Sequence, residues 1–470
     1  MPPSASAEHP AGIAVVGAGF SGTLAAIHLL DTCGPETPVL LIERSGRFGR
    51  GLAYGTPNAS HLLNVPAGNM SAFPDRPDHF TAWLRAHPAE AGMLAGTADS
   101  RSFAPRRAYG RYLEGLLAEA EARWPGRLRR IVGSVTDIEP VAGPGTKGVV
   151  LHMEAGPHIL AHAAVLAVGN AAPQPLSALA GAGAAYRNDP WAPDALDGLD
   201  ADAPVLLAGT GLTMVDMVLS LEDRGHRGPV LALSRRGLAP LAHTARGDAA
   251  GPPPEGLAAG PATALVRTVR RAVAERGDWR EVVDSLRPRT QDLWLSLDRA
   301  CQDRLLRHLR PWWDVHRHRL APAVGERIAR ATAEGRLRIR AGRPVAAVPG
   351  PGGALVTFRP RGAGAPETVA VARILNCTGP AGDWSRLPDP LPRALVARGL
   401  AVRDTLGLSV AIAADGALIG ADGLPSDTLF VAGPPTRSLY WESTAVPDIR
   451  RQVSALAEHI GRRMPRSAVA

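Results

Sequence analysis

The chain has 470 residues, 45% of them hydrophobic and 20% charged. That is enough apolar material for two or three domain cores and too little charge for a disordered chain. Basic residues exceed acidic ones by 52 − 44 = 8, and 51 of the 52 are arginine; a GC-rich coding bias accounts for the skew, with arginine-rich recognition of phosphate or nucleic acid as the rival reading. The sequence shows no run of 18 apolar residues, no signal-peptide pattern and only Cys33, Cys301 and Cys377, far apart, which argues against a transmembrane helix, export and a disulfide or zinc framework and leads us to expect a cytoplasmic protein without a metal site.

Residues 12–43 read as strand, glycine turn, helix, strand. Ile13 to Val16 is a short, mostly β-branched run suited to a buried parallel strand. It leads into Gly17-Ala18-Gly19-Phe20-Ser21-Gly22. A helix follows in which Leu24, Ile27 and Leu30 recur at helical spacing, then the strand PVLLIE ending at Glu43. Residues 49–85 read as a Gly/Pro/Asn-rich loop closing on a helix, and 105–124 as a helix with Tyr109, Leu113, Leu116 and Leu117 on one face. Segments 131–138, 148–152 and 158–161 predict a small meander, and HAAVLAVGN at 162–170 a buried strand ending in Gly169.

Residues 171–203 read as a linker. The strand–turn–helix–strand unit then recurs at 204–234, as VLLAGTGLTMVDMVLSLEDRG and PVLALSRRG. After a Gly/Pro-rich break at 249–260, residues 261–335 read as basic helices, with Leu293, Leu297, Cys301 and Leu305 four apart. Residues 336–375 return to strands, ending RILNCTGP with its Gly379. The chain closes with the strand TLFVAG, whose glycine is Gly433, and a helix from about 447.

The first turn has the full pattern of a dinucleotide site. Gly17 permits the tight turn, Gly19 lets a pyrophosphate approach the backbone, and Gly22 allows close packing of helix on strand. The helix N-terminus supplies amide donors. Glu43, 21 residues beyond Gly22, stands where a carboxylate bonds a ribose hydroxyl pair. The second turn keeps Gly209 and Gly211, places Thr213 in its first helical turn, and has Met214 for the third glycine. Its following strand ends Ser234-Arg235-Arg236. Arginine in place of the acid suits the 2′-phosphate of NADPH, with NADH as the alternative; two solvated arginines are the bland reading. Two such sites imply FAD and a nicotinamide dinucleotide. LAVGN and LNCTGP, with Gly169 and Gly379, stand where the chain crosses between two nucleotide domains. The N-terminus of the last helix, with Pro447 in its first turn, is suited to stabilising negative charge on a reduced flavin.

Five motifs, GAGFSG (17–22), GLAYGT with LNVPAGNMS (51–71), GTGLTMVD (209–216), RHLRPWWDVHRHR (307–319) and WESTAVPDIR (441–450), span nearly the full length. With them the chain resembles the two-dinucleotide-domain FAD/NAD(P)-binding flavoproteins. Within these it is similar to a bacterial FAD-dependent urate hydroxylase and, more distantly, to the flavin N-hydroxylating monooxygenases. The resemblance implies an α/β fold of two Rossmann-like domains, an FAD domain (1–200 and 346–470) split around an NAD(P) domain (201–345) that carries the helical insertion. It implies that Gly17, Gly19, Phe20, Ser21, Gly22 and Glu43 hold the FAD adenosine and pyrophosphate. Asn64, Val65, Pro66 and Met70 would lie by the flavin ring, Gly209, Gly211, Thr213, Arg235 and Arg236 would hold NADPH, and Gly433 with Thr444, Ala445 and Val446 would close over the flavin pyrimidine. The strand end Ala432-Gly433-Pro434 lacks the aspartate that commonly binds the ribityl chain.

The expected activity is a monooxygenase in which NADPH reduces FAD and the reduced flavin activates oxygen to hydroxylate a small molecule. The alternatives are a flavin reductase or oxidase without oxygen insertion, and a non-catalytic flavin-binding redox sensor. No nucleic-acid module is recognisable. His308, Trp312, Trp313, His316 and His318 divide between a substrate-pocket reading and a packed helix end; His316 and His318, two apart on a helix, cannot share one metal.

Overall fold

The computed structural model describes residues 12–94, 97–143, 146–244, 251–257, 261–362 and 364–464. In chain order its strands are β1 (Ile13–Val16), β2 (Val39–Glu43), β3 (Leu128–Val132), β4 (Val135–Gly143), β5 (Thr146–Met153), β6 (Ile159–Ala161), β7 (Ala163–Leu166), β8 (Tyr186–Arg187), β9 (Val205–Ala208), β10 (Val230–Ser234), β11 (Leu337–Gly350), β12 (Gly353–Pro360), β13 (Glu367–Val371), β14 (Arg373–Asn376), β15 (Ala417–Ile419) and β16 (Pro425–Val431). They form two compact units. The first comprises Met1–Pro57, Pro66–Ala171 and Gly382–Ala470; the second comprises Asn58–Val65 and Ala172–Ala381.

The first unit is built on a six-stranded sheet, β15-β16-β7-β1-β2-β3, parallel except for β15 at one edge. All four residues of β1 are buried, as an apolar run covered on both faces requires. The helix Phe20–Thr32 follows β1 and packs against the last helix, Val446–Arg463. That contact is close because Gly461 has no Cβ, which would lie 2.7 Å from the Thr32 carbonyl oxygen. The expected helix over 105–124 spans Arg106–Arg123 and buries Tyr109, Leu113, Leu116 and Leu117.

One strand expectation needs correction. Residues 131–138 do not form one strand, because the chain turns at Gly133, whose N–H donates to the Glu43 carbonyl at 3.1 Å. Before the turn β3 pairs parallel with β2; after it β4 joins β5 and β6 in a separate antiparallel meander.

The second unit repeats the arrangement. Its sheet runs β13-β12-β11-β10-β9-β14-β8, with the parallel core β11-β10-β9-β14 matching β3-β2-β1-β7 of the first. β11 pairs with β10 through Leu337–Ala341, then continues to pair with β12 antiparallel, with a register shift at Pro344/Ala346. The helices between Ala262 and Ala333 are inserted between β10 and β11. Their expected stripe is broken at Leu297, where the backbone is extended and Asp298 caps the next helix by accepting from the Cys301 N–H at 2.7 Å; Leu297 and Cys301 are nonetheless buried.

The supposed linker 171–203 belongs, from Ala172 on, to this unit. Leu179, Ala182 and Ala185 pack in one core with Leu206, Ala208, Val356 and Ile374, and Tyr186–Arg187 forms the edge strand β8. Small apolar residues between prolines were enough to bury, which a composition reading treats as loop. The compact units therefore change over at 171/172 and 381/382, rather than at 200 and 345.

Asn376, fully buried at the end of β14, secures that segment. Its amide donates to Gln174 O (2.9 Å) and Asn188 Oδ1 (2.9 Å) and lies 3.2 Å from the Tyr186 hydroxyl, while its oxygen accepts from the Thr378 hydroxyl (2.7 Å). Replacing it by leucine strands several buried partners. Asn376→Leu is expected to cost about 3 kcal/mol in denaturant unfolding. A change below about 0.5 kcal/mol would show that the segment is held by its apolar contacts alone.

Candidate functional site

The first glycine turn is held by its neighbours rather than by its own side chains. Gly17 adopts φ +98°, and a Cβ there would lie 2.5 Å from the Ala167 carbonyl oxygen at the end of β7. A Cβ on Gly22 would lie 1.8 Å from the Gly17 oxygen, so the helix sits directly on the turn. Gly19 is the N-cap and offers no side-chain acceptor, leaving the first amides of the helix without a cap bond. Phe20 and Ser21 are buried at that helix start. Glu43 faces the turn: its Oε2 accepts from the Ala18 N–H at 2.9 Å, and its Oε1 from the Ser45 N–H (2.9 Å) and hydroxyl (2.8 Å).

The second turn follows the same backbone path. Gly209 adopts φ +120°, and its Cβ would lie 2.2 Å from the Cys377 carbonyl oxygen at the end of β14. Gly211 (φ −84°, ψ −163°) repeats the cap geometry of Gly19 (φ −75°, ψ −164°), again without a side-chain cap. A Cβ on Gly211 would meet nothing within 4 Å. Thr213 is half-buried in the first turn of the helix Leu212–Asp223. Met214, at the place of Gly22, is fully buried, and helix and strand still pack around it. Gly169 and Gly379 also correspond, each three residues beyond its strand, with φ +70° and +87° and open space where a Cβ would stand.

Where the first turn has Glu43, the second has Ser234. The Thr210 hydroxyl lies 2.8 Å from Ser234 Oγ, which accepts from the Gly237 N–H at 3.0 Å. Arg235 follows, exposed and without a partner among the described residues. Arg236 is half-buried and donates to the Arg307 carbonyl at 3.4 Å.

The sequence missed the support of the first turn. The Gly49 N–H donates to the Ala18 carbonyl at 2.8 Å, and a Cβ on Gly51 would lie 2.9 Å from Gly19 Cα. Arg50 holds this loop by a two-pronged bond to Glu114. The Tyr54 ring packs at a tilt on that of Tyr109, centroids 4.6 Å apart, and the Tyr109 ring also meets Phe20 while its hydroxyl is buried without a partner among the described residues. Burial raises that phenol's pKa well above its usual value, so it remains a hydrogen-bond donor. The GLAYGT motif is where the signal lay, since its Gly51 makes the close approach to Gly19 and its Tyr54 the ring contact with Tyr109.

The other expected flavin contacts are divided. Met70 is buried in the first unit, whereas Asn64 and Val65 fall in the second. There the Asn64 carbonyl lies 3.2 Å from His243 Nε2. Gly433 (φ +76°) abuts Ser21, where a Cβ would lie 2.1 Å from Oγ. Its N–H donates to Gln452 Oε1 at 3.0 Å. Thr444 is exposed, and Ala445 is the N-cap of the last helix, which starts at Val446 with Pro447 in its first turn. Asp448 also lies in that turn, paired with Arg451 at 3.0 Å, so this helix end already faces one carboxylate. Among the 307–319 residues, His316 bonds the Trp312 carbonyl at 2.7 Å and packs edge-on to Trp279, and Trp312 is half exposed. No group of three metal-ligating side chains occurs among the described residues, and no helix there is long and apolar enough to cross a membrane.

Comparison with known proteins agrees with this geometry. Residues 14–171 match a family model described as FAD-NAD(P)-binding. No curated protein sequence matches the chain. Among solved structures, it is similar to the ornithine N-hydroxylase of Kutzneria sp. 744, solved with reduced FAD, NADP+ and L-ornithine (17% identity over 97% of this chain and 99% of that one, TM-score 0.66). It is similar to the L-lysine 6-monooxygenase of Pseudomonas syringae (17%, 96% and 99%, TM-score 0.64). It also resembles a bacillithiol disulfide reductase of Staphylococcus aureus (10%, 97% and 100%, TM-score 0.55). Residues 14–171 thus match the FAD-NAD(P)-binding model, and the chain shares the fold of these solved structures over nearly its whole length.

Proposed function

We propose that the chain is an FAD- and NADPH-dependent monooxygenase that hydroxylates a small amine or similar nitrogen compound in the cytoplasm, with molecular oxygen as co-substrate. The observation that carries this reading is the pair of glycine turns with like cap geometry, each with an uncapped helix start, in a chain whose full length follows the hydroxylases' fold. The residues of the first turn fit FAD. The free amides at Phe20, Ser21 and Gly22 would hold its pyrophosphate, and Glu43, already fixed by three donors, has lone pairs left for a ribose hydroxyl. Bound FAD supplies hydride acceptance from NADPH and activation of oxygen.

At the second turn, Gly211 leaves room for a pyrophosphate against the helix amides. A serine hydroxyl stands where a carboxylate would repel a 2′-phosphate, and two guanidiniums follow it. Thiol–disulfide chemistry is disfavoured by the cysteines. All three are buried and free, and burial pushes the Cys377 thiol far above its usual range, against thiolate formation. The likeness to a disulfide reductase keeps one second reading in play, electron transfer from NADPH through FAD without oxygen insertion.

Two measurements test these claims. Gly211→Asp introduces a favourable helix cap into open space, so the fold should be retained while its charge occupies the phosphate position. Its melting temperature should stay within about 3 °C of the parent while KM for NADPH rises at least ~10-fold; an unchanged KM would remove the second turn from cofactor binding. Turnover under labelled oxygen gas, with ornithine, lysine and other small amines, should place one labelled atom in the product. NADPH consumption that yields only hydrogen peroxide with every such amine and with purines would favour the second reading.

A further inference from the structure

Among the inserted helices one π-turn lies against the proposed NADPH site. Residues 299–317 run as one helical stretch, but Leu305–Leu309 is a π-turn in which the Arg310 N–H donates to the Leu305 carbonyl, five residues back. The cause is Pro311. In an α-helix the N–H of residue 311 would donate to the Arg307 carbonyl; proline has no N–H, and its ring crowds that oxygen. The α-helical donor to this carbonyl is therefore missing, and Arg236 Nη2 donates to it from the end of β10 at 3.4 Å. Arg236 has no carboxylate partner among the described residues. The Arg307 side chain itself turns away to Asp303, at 2.6 Å.

We propose that the Pro311 π-turn is a positioning device for the dinucleotide phosphate. The Arg307 carbonyl fixes Arg236 beside β10, and Arg235, exposed and free, completes a two-guanidinium clamp for the 2′-phosphate. Pro311 and Arg236 are thereby specificity-determining residues for NADPH over NADH. This rests on the assignment of the second turn to NADPH. The geometry supplies the physical reason. An unheld arginine loses much of its side-chain freedom on binding phosphate, whereas one already bonded through Nη2 has been ordered beforehand and keeps its other N–H groups for the ligand. Pro311→Ala restores the missing N–H, lets the helix recapture the Arg307 carbonyl and releases Arg236.

The test is binding of adenosine 2′,5′-bisphosphate and of AMP to the FAD-loaded protein, measured by calorimetry and independent of turnover. Pro311→Ala and Arg236→Gln should each weaken the bisphosphate roughly 5- to 10-fold and leave AMP unchanged. The double variant should be no worse than Arg236→Gln alone, because both act through one contact. Arg236→Lys, a point charge without the planar fork, should recover only part of the loss. If Arg236→Gln weakens the bisphosphate and Pro311→Ala does not, the π-turn has no part in specificity and the proposal falls while the NADPH reading stands. If Arg235→Gln combined with Arg236→Gln leaves the preference for the bisphosphate over AMP unchanged, both fall.

Discussion

Both halves of this protein depend on one steric constraint. At the end of each central strand, the carbonyl of a neighbouring parallel strand occupies the place of a Cβ. Ala167 O does so at Gly17, and Cys377 O at Gly209. Only a residue without a side chain, at positive φ, can turn the chain there. The turn then delivers an uncapped helix N-terminus to the edge of the sheet, with amides that the helix cannot satisfy itself and that would hold a pyrophosphate in the proposed function. The rest of each unit supports this geometry: β2 and β10 receive the turns' N–H groups, from Gly17 to Ile42 O and from Gly209 to Leu233 O, at 2.8 Å in both cases.

The two turns diverge where their ligands would differ. Glu43 closes the first with a carboxylate bonded to the turn's own backbone, while Ser234 and Thr210 close the second with neutral hydroxyls followed by guanidiniums. The arginine excess gains meaning only against that background. Most of the arginines that find a side-chain partner among the described residues pair with surface carboxylates, as Arg227 does with Asp202 and Arg398 with Asp137. Solvent screens exposed pairs of this kind, so they add little to stability, as expected of a composition set by coding bias. Arg373 is different. Buried and in no ion pair among the described residues, it donates to the Ala195 and Asp197 carbonyls, and burial lowers its pKa. Arg235 and Arg236 are a third kind, one free and one held by a carbonyl.

The legible parts of the sequence were those where a local rule has no substitute. The glycine turns, the buried strands beside them and the helix starting at Val446 all stood where periodicity and glycine placed them. Pairing decided what composition could not. Residues 171–203 look like a linker because small residues and prolines dominate, yet Leu179 and Ala185 complete a core that Ile374 supplies from almost two hundred residues away. Residues 131–138 look like one strand because the turn at Gly133 is fixed by a carbonyl of β2. The stripe through Leu293 and Leu305 has helical spacing, but Asp298 caps a new helix within it.

By itself, then, the amino-acid sequence determined two dinucleotide folds, the order of their parts and the absence of a carboxylate after the second turn, because each is enforced by residues adjacent in the chain. Tertiary structure alone decided which carbonyl makes each glycine obligatory, which loop braces the first turn through Arg50 and Glu114, and where Arg236 is held. Those are contacts between segments far apart in the chain, and no spacing rule records them.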